Sequence, residues 1–281
     1  MRILFSLFLT GWLACAGPAF SQVPDPLYGL TIDNTKDLQD IVASVGGLRR
    51  KPTTRIVFDE KVPASQYVDA VIQLKKVSYI MGEILDSFPM RKYSVSDYIG
   101  RTHDYLDMLG DKVDIWEIGN EINGDWLGNT SDVVAKMTGT YDIIKNAGKT
   151  TELTLYYNQG CAKKPSNEMF TWVQANIPSR MMTGLDYVLV SYYEDDCKGL
   201  QPDWPTIYQR LAVMFPNSKL GFGECGTKYK ARKEQYVKRY YGLKIDAPRY
   251  VGGYFWWYYK QDMVPKTKPL WDVINTAMSG Y

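Results

Sequence analysis

VDIWEIGNEING, Val113 to Gly124, is a short apolar run that stops at Gly119, Asn120 and Glu121 instead of passing into a helix. Val113, Ile115, Trp116 and Ile118 supply a strand that a barrel interior could bury, which leaves Glu117 as a charge in need of a partner. Glu121 then falls at the C-terminal mouth of that strand. A carboxylate there, an amide at Asn120 and an aromatic face at Trp126 suit the cleavage of a sugar: a proton donor, a hydroxyl ligand and a flat wall for a pyranose ring.

On both sides of this stretch, apolar β-rich runs alternate with segments of helical period, the pattern of parallel strands joined by crossover helices. Strands are expected over residues 28–32, 55–58, 77–81, 113–118, 153–157, 185–191, 220–223 and 251–256. Helices are expected over 36–45, 65–76, 94–110, 131–145, 165–175, 203–215, 230–242 and 270–278. Eight such units in an α/β chain of 281 residues spell a single-domain (β/α)8 TIM barrel over residues 22–281, with its site at the C-terminal ends of the strands.

Residues 1–21 carry Arg2, an apolar run from Ile3 to Ala16 and the small residues Ala19 and Ser21 around Phe20, so they are expected to be an export signal. A secreted or periplasmic location follows. No later run reaches the roughly 20 apolar residues of a membrane span. The net charge of +2 argues against nucleic acid as a partner, and the basic stretch from Lys228 to Lys244 reads as the wetted face of an outer helix, with Tyr236, Tyr240 and Tyr241 beneath. A single histidine, His103, excludes metal sites built on several imidazoles and weakens any Ser-His-Asp chemistry, so no metal or cofactor is expected. A monomer is the expected state.

After the seventh strand the chain reads KLGFGECGT, which places Glu224 beside Gly223 and close to Gly226. With WEIGNE at 116–121 and GYFWWYY at 253–259, the sequence resembles the clan A glycoside hydrolases across the whole barrel as architecture, and at these motifs in detail. The resemblance implies a retaining mechanism with Glu121 as acid/base and Glu224 as nucleophile. It implies that Asn120 binds a 2-hydroxyl, that Arg55 holds the nucleophile and that a tyrosine after strand six, Tyr193 in preference to Tyr192, donates to it. It also implies a poly- or oligosaccharide substrate, β-linked and cut internally.

Strand parity adds what the resemblance does not. Arg55 and Asp59 share one face of strand two, Glu117 and Glu121 one face of strand four, so Arg55 should meet Glu117 or reach Glu224, and Asp59 should sit near the mouth. Trp256 and Trp257 point opposite ways; one would floor the sugar site and the other join the core. Asn158 and Glu83 would complete a polar ring. Cys161 and Cys197 follow neighbouring strands five and six, which predicts a disulfide stapling two rim loops, while Cys225 reads as a buried small side chain. The competing function is a carbohydrate-binding barrel without catalysis.

Overall fold

The computed structural model describes residues 23–279, so the expected export signal lies outside the described residues. Eight parallel strands close into a barrel in chain order: β1 (Leu27–Ile32), β2 (Thr53–Val57), β3 (Tyr79–Glu83), β4 (Ile115–Glu117), β5 (Thr151–Tyr156), β6 (Tyr187–Tyr192), β7 (Lys219–Cys225) and β8 (Gly252–Trp256). The helices between and after them are α1 (Leu38–Gly46), α2 (Val68–Val77), α3 (Val95–Leu109), α4 (Thr130–Asn146), α5 (Met169–Asn176), α6 (Ser179–Gly184), α7 (Trp204–Met214), α8 (Lys233–Tyr241), α9 (Tyr259–Met263) and α10 (Pro269–Ala277). The expected (β/α)8 barrel is the observed fold. Among the described residues no helix is long and apolar enough to cross a membrane.

Local chemistry accounts for several boundaries. Ser94 opens α3 with a capping box: its side chain accepts from the Asp97 N–H while the Asp97 carboxylate takes the Ser94 N–H. Asn129, two residues before the expected start, caps α4. On α8 the three tyrosines Tyr236, Tyr240 and Tyr241 are buried and Lys238 faces water, as amphipathic spacing required, while Lys233 is largely covered and paired with Asp262. The short helices α6 and α9 were not expected; each fits within a connection and carries too few turns to show a period.

The barrel interior is built in two layers. Leu27, Met81, Ile115, Leu189 and Phe255 form a small apolar cluster in its lower part, apart from the main core between sheet and helices. Above them lies a charged layer. Glu83, Glu117 and Glu152 are register partners across β3, β4 and β5, and Arg55 pairs with Met81 one step lower. Charges within a barrel require one another, because each is removed from water and only a partner offsets that loss.

Cys161 and Cys197 form the expected disulfide, joining the loops after β5 and β6 with a Cα separation of 5.4 Å. Cys225 is buried, donates its S–H to the Tyr254 carbonyl at 2.7 Å, and burial pushes its thiol up, which makes it a packing residue. His103 is exposed on α3. Replacing both Cys161 and Cys197 by serine is expected to cost about 4 kcal/mol, since the bridge closes a loop of 36 residues. Denaturant melts of the variant check this; an unchanged midpoint would rule out the stapling role.

Candidate active site

The interior charges are organised by one side chain. Arg55, on β2 and fully buried, donates from Nε and Nη2 to the two oxygens of Glu117 at 2.6 and 2.9 Å, and from Nη1 to Glu224 Oε2 at 2.8 Å. Its Nη2 also lies 3.0 Å from Glu83 Oε2, an ion contact whose angle is too poor for a hydrogen bond. The fork therefore serves the two partners expected for it at once. Glu117 is the pivot: it further accepts from Asn120 Nδ2 at 3.2 Å and Thr154 Oγ1 at 2.8 Å. Burial pushes Glu83 and Glu152 well above the ordinary carboxylate range.

Glu224 lies in β7 itself rather than after it. Its Oε1 accepts the Tyr193 hydroxyl at 2.5 Å, so of the two candidate tyrosines Tyr193 meets it, whereas Tyr192 turns outward to the Leu200 carbonyl. Gly226 makes room: a Cβ there would come within 3.0 Å of the Tyr258 ring and 3.3 Å of the Tyr193 ring. Burial raises the Glu224 carboxyl, while Arg55 and the Tyr193 hydroxyl pull it back down.

Glu121 sits in a different environment. Beyond the end of β4 the chain turns so tightly that Glu121 takes a φ of +48°, a strained value for a side chain with a Cβ. Two serines hold it: Ser191 donates to Oε1 at 2.6 Å and Ser87 to Oε2 at 3.0 Å, and Trp126 Nε1 in turn donates to Ser87 Oγ at 3.0 Å. No cation touches Glu121 among the described contacts. Burial first, and the nearby Glu224 charge second, push its carboxyl up to about 8.

Glu121 and Glu224 line one cavity of about 560 Å3 at the C-terminal ends of the strands. Trp126, Tyr156, Trp257 and Tyr258 give it aromatic walls, with Asp125, Asp195 and Asp196 on its rim. Trp257 is the tryptophan that faces the site, its ring centroid 5.7 Å from the Arg55 guanidinium. Trp256 is fully buried, with its indole N–H given to Asp262, and does not serve as a floor. Asn120 is buried behind Glu121, its carbonyl taken by the Ser87 N–H, and it is not part of the cavity lining. Asn158 does line the cavity, but its amide bonds the Asn167 carbonyl and the Met169 N–H and so organises the start of α5. Asp59 lies past the end of β2, where strand parity no longer applies; it is exposed and tied to the Tyr67 hydroxyl, outside this cavity.

Solved structures share this architecture. Saccharomyces cerevisiae Gas2p in complex with laminaritriose and laminaritetraose superposes with a TM-score of 0.57 at 14% identity, covering 90% of this chain and 64% of that one. An apo β-glucosidase superposes with a TM-score of 0.52 at 15% identity, covering 79% of this chain and 76% of that one. This chain has the fold of the clan A glycoside hydrolases. It spans 64% of the Gas2p chain. No family model and no curated protein matches the sequence.

Ser191, Ser87 and Asp86 are among the polar residues near the site that escaped the sequence reading. Ser191 could have been read, because it lies at the C-terminal end of β6, two residues before Tyr193. Ser87 and Asp86 lie in the irregular loop after β3, where no period places a side chain.

Proposed function

We propose that the protein is a retaining glycoside hydrolase, with Glu121 as acid/base and Glu224 as nucleophile. The observation that carries this is the contrast between two carboxyls in one cavity: Glu224 is held by a guanidinium and a phenol, whereas Glu121 is held by two serines and pushed up to about 8. A nucleophile must be ionised and an acid must carry its proton, and the contrast between the two surroundings supports these separate roles. In the first step Glu224 attacks the anomeric carbon as the Glu121 proton passes to the leaving oxygen. Forming the glycosyl ester removes the negative charge of Glu224, which lowers the Glu121 pKa and lets it take a proton from water in the second step. Tyr193 stays protonated, since burial and the Glu224 charge raise it, and so donates throughout.

Gas2p binds laminaritriose and laminaritetraose, so uncharged gluco-oligosaccharides are the first substrates to try. Internal cleavage and secretion complete the proposal; the disulfide favours an oxidising compartment. The test is hydrolysis of a panel of β-linked polysaccharides and aryl glycosides, with the anomer of the first product read by NMR. Retention is expected. Inversion would remove Glu224 as nucleophile, and binding without any cleavage would favour a carbohydrate-binding barrel.

The pH dependence follows from the same two groups. Activity requires ionised Glu224, so it rises with pH through a limb displaced above the ordinary carboxylate range. It also requires protonated Glu121, so it falls again near pH 8. The two limbs belong to the coupled pair, and a kcat/KM profile lacking an alkaline limb would contradict Glu121 as the acid.

A further inference from the structure

Directly after Glu121 the chain turns back over its own carboxyl. The Gly124 N–H donates to the Glu121 carbonyl at 2.7 Å, and this turn brings Trp126 above the acid. A Cβ on Gly124 would come 2.6 Å from the Trp126 ring, so the indole sits where it does only because that side chain is missing. From another side Tyr156 meets the indole edge-on, with ring centroids 5.2 Å apart. The ring is held, and its N–H is aimed.

That N–H reaches Ser87 Oγ at 3.0 Å, and an indole only donates. Ser87 therefore gives a lone pair to Trp126 and sends its own hydrogen elsewhere. Two acceptors are near: Glu121 Oε2 at 3.0 Å and Asp86 Oδ1 at 3.4 Å. The second distance lies beyond the usual O–H···O range, so the hydrogen goes to Glu121. The Ser87 N–H is given to Asn120 Oδ1 at 3.1 Å, which pins the serine from behind. Ser191 is tied less. Glu121 Oε1 is the one hydrogen-bond partner of its hydroxyl among the described residues, so that hydroxyl can turn and accept when the carboxyl carries its proton.

We propose that Trp126 is a positioning residue for Glu121: its indole N–H commits the Ser87 hydroxyl to Glu121 Oε2, so that the cavity wall and the acid are joined by one relay. The proposal rests on the glycosidase reading for the role of Glu121 as acid. A hydroxyl locked in this direction stabilises the ionised carboxylate more than the neutral acid. Burial first and Glu224 second push the Glu121 carboxyl up and Asp86 adds to the push, while the hydroxyls of Ser191 and Ser87 oppose it. Tyr193 after β6 and Tyr156 on β5 also face Glu121, and burial raises both phenols, so they stay neutral. Asp125, Asp195, Asp196, Lys163 and Lys228 line the same cavity. None of these groups hydrogen-bonds Ser87 among the described residues, so replacing Ser87 or the indole N–H leaves them in place.

The test is carbon-13 NMR titration of the Glu121 carboxyl, whose resonance is the one missing from Glu121→Gln, in wild type, Ser87→Ala, Trp126→Phe and the double variant. Losing a donor to the ionised form disfavours that form, so the midpoint moves to higher pH. It is expected to rise by about 1 pH unit in Ser87→Ala and by about half as much in Trp126→Phe. The double variant should match Ser87→Ala alone, because Trp126 acts through Ser87. Phenylalanine keeps a ring against Tyr156, and alanine keeps the N–H given to Asn120, so both variants retain the loop. A midpoint that Trp126→Phe leaves unmoved, or moves equally with and without Ser87, overturns the proposal. The expected shifts in a protein that cleaves no glycoside uphold the relay and remove the hydrolase; cleavage with unmoved midpoints does the reverse.

Discussion

Glu224→Gln is expected to lower kcat/KM by on the order of 10^4-fold or more on every substrate the wild type cleaves, with the fold intact. The amide keeps the shape of the carboxylate: its carbonyl oxygen can still accept from Arg55 Nη1, and its NH2 can donate to the Tyr193 hydroxyl oxygen, the two groups that position it. What it lacks is the electron pair that forms the glycosyl ester. Glu121→Gln should behave differently, because its effect depends on how much the leaving oxygen needs a proton. With an alkyl or sugar leaving group the loss is expected at about 10^2- to 10^4-fold. With an acidic phenol, the first step needs little protonation and the loss in kcat/KM shrinks. Steady-state kinetics on aryl glycosides of graded phenol acidity separate the two roles; equal losses at both positions across the series would undo the assignment.

How far the sequence foretold this site depends on whether a residue sits on regular backbone. Arg55 and Glu117 lie within β2 and β4, where alternation holds, and the parity of two strands was enough to bring them together. Past the strand ends that rule lapses: Asp59 follows β2 by two residues and turns out to water, and Asn120 turns behind Glu121 in a loop that reaches positive φ. On the eighth strand the expected opposition of Trp256 and Trp257 held, with Trp257 at the cavity and Trp256 in the core. Gly252, Gly253, Tyr254 and Phe255 all have positive φ, and the register with β1 shifts between Tyr28 and Leu30, so counting along the strand could not say which of the two would face the site. A similar slip between Val190 and Ser191 sets Ser191 opposite Glu224. Periodicity records the pleat, and bulges are where the pleat is broken to aim side chains at a site. The three-glutamate row was half legible. Glu117 stood out as a charge within an apolar strand and Glu83 as a polar group following the third, but Glu152 stands at the foot of its strand and its inward direction depends on barrel register.

Removing Arg55 is expected to destabilise the protein by about 3 to 5 kcal/mol, because it strands Glu117 and Glu224 in a dry interior without a cation. Arg55→Lys should recover part of the stability and little of the activity. One ammonium cannot reproduce a fork that grips both oxygens of Glu117 while reaching Glu224. Without that grip the Glu224 carboxyl loses the Nη1 hydrogen bond that helps pull it down, so the acid limb of the Arg55→Lys profile should move to higher pH. The row above Arg55 supplies a converse. Glu83 and Glu152 have folded-state pKa values raised by burial, so the native state binds more protons than the unfolded chain, and stability falls as pH rises from the ordinary carboxylate value through the raised one. Glu152→Gln replaces a carboxyl whose proton is favoured by burial with a group that is always neutral, and it should flatten the loss of stability on the alkaline side. Denaturant melts from pH 5 to 9 read both effects. If Glu152→Gln leaves the slope with pH unchanged, Glu152 is not held neutral. If Arg55→Lys retains both wild-type stability and the wild-type acid limb, the guanidinium is not what organises the nucleophile.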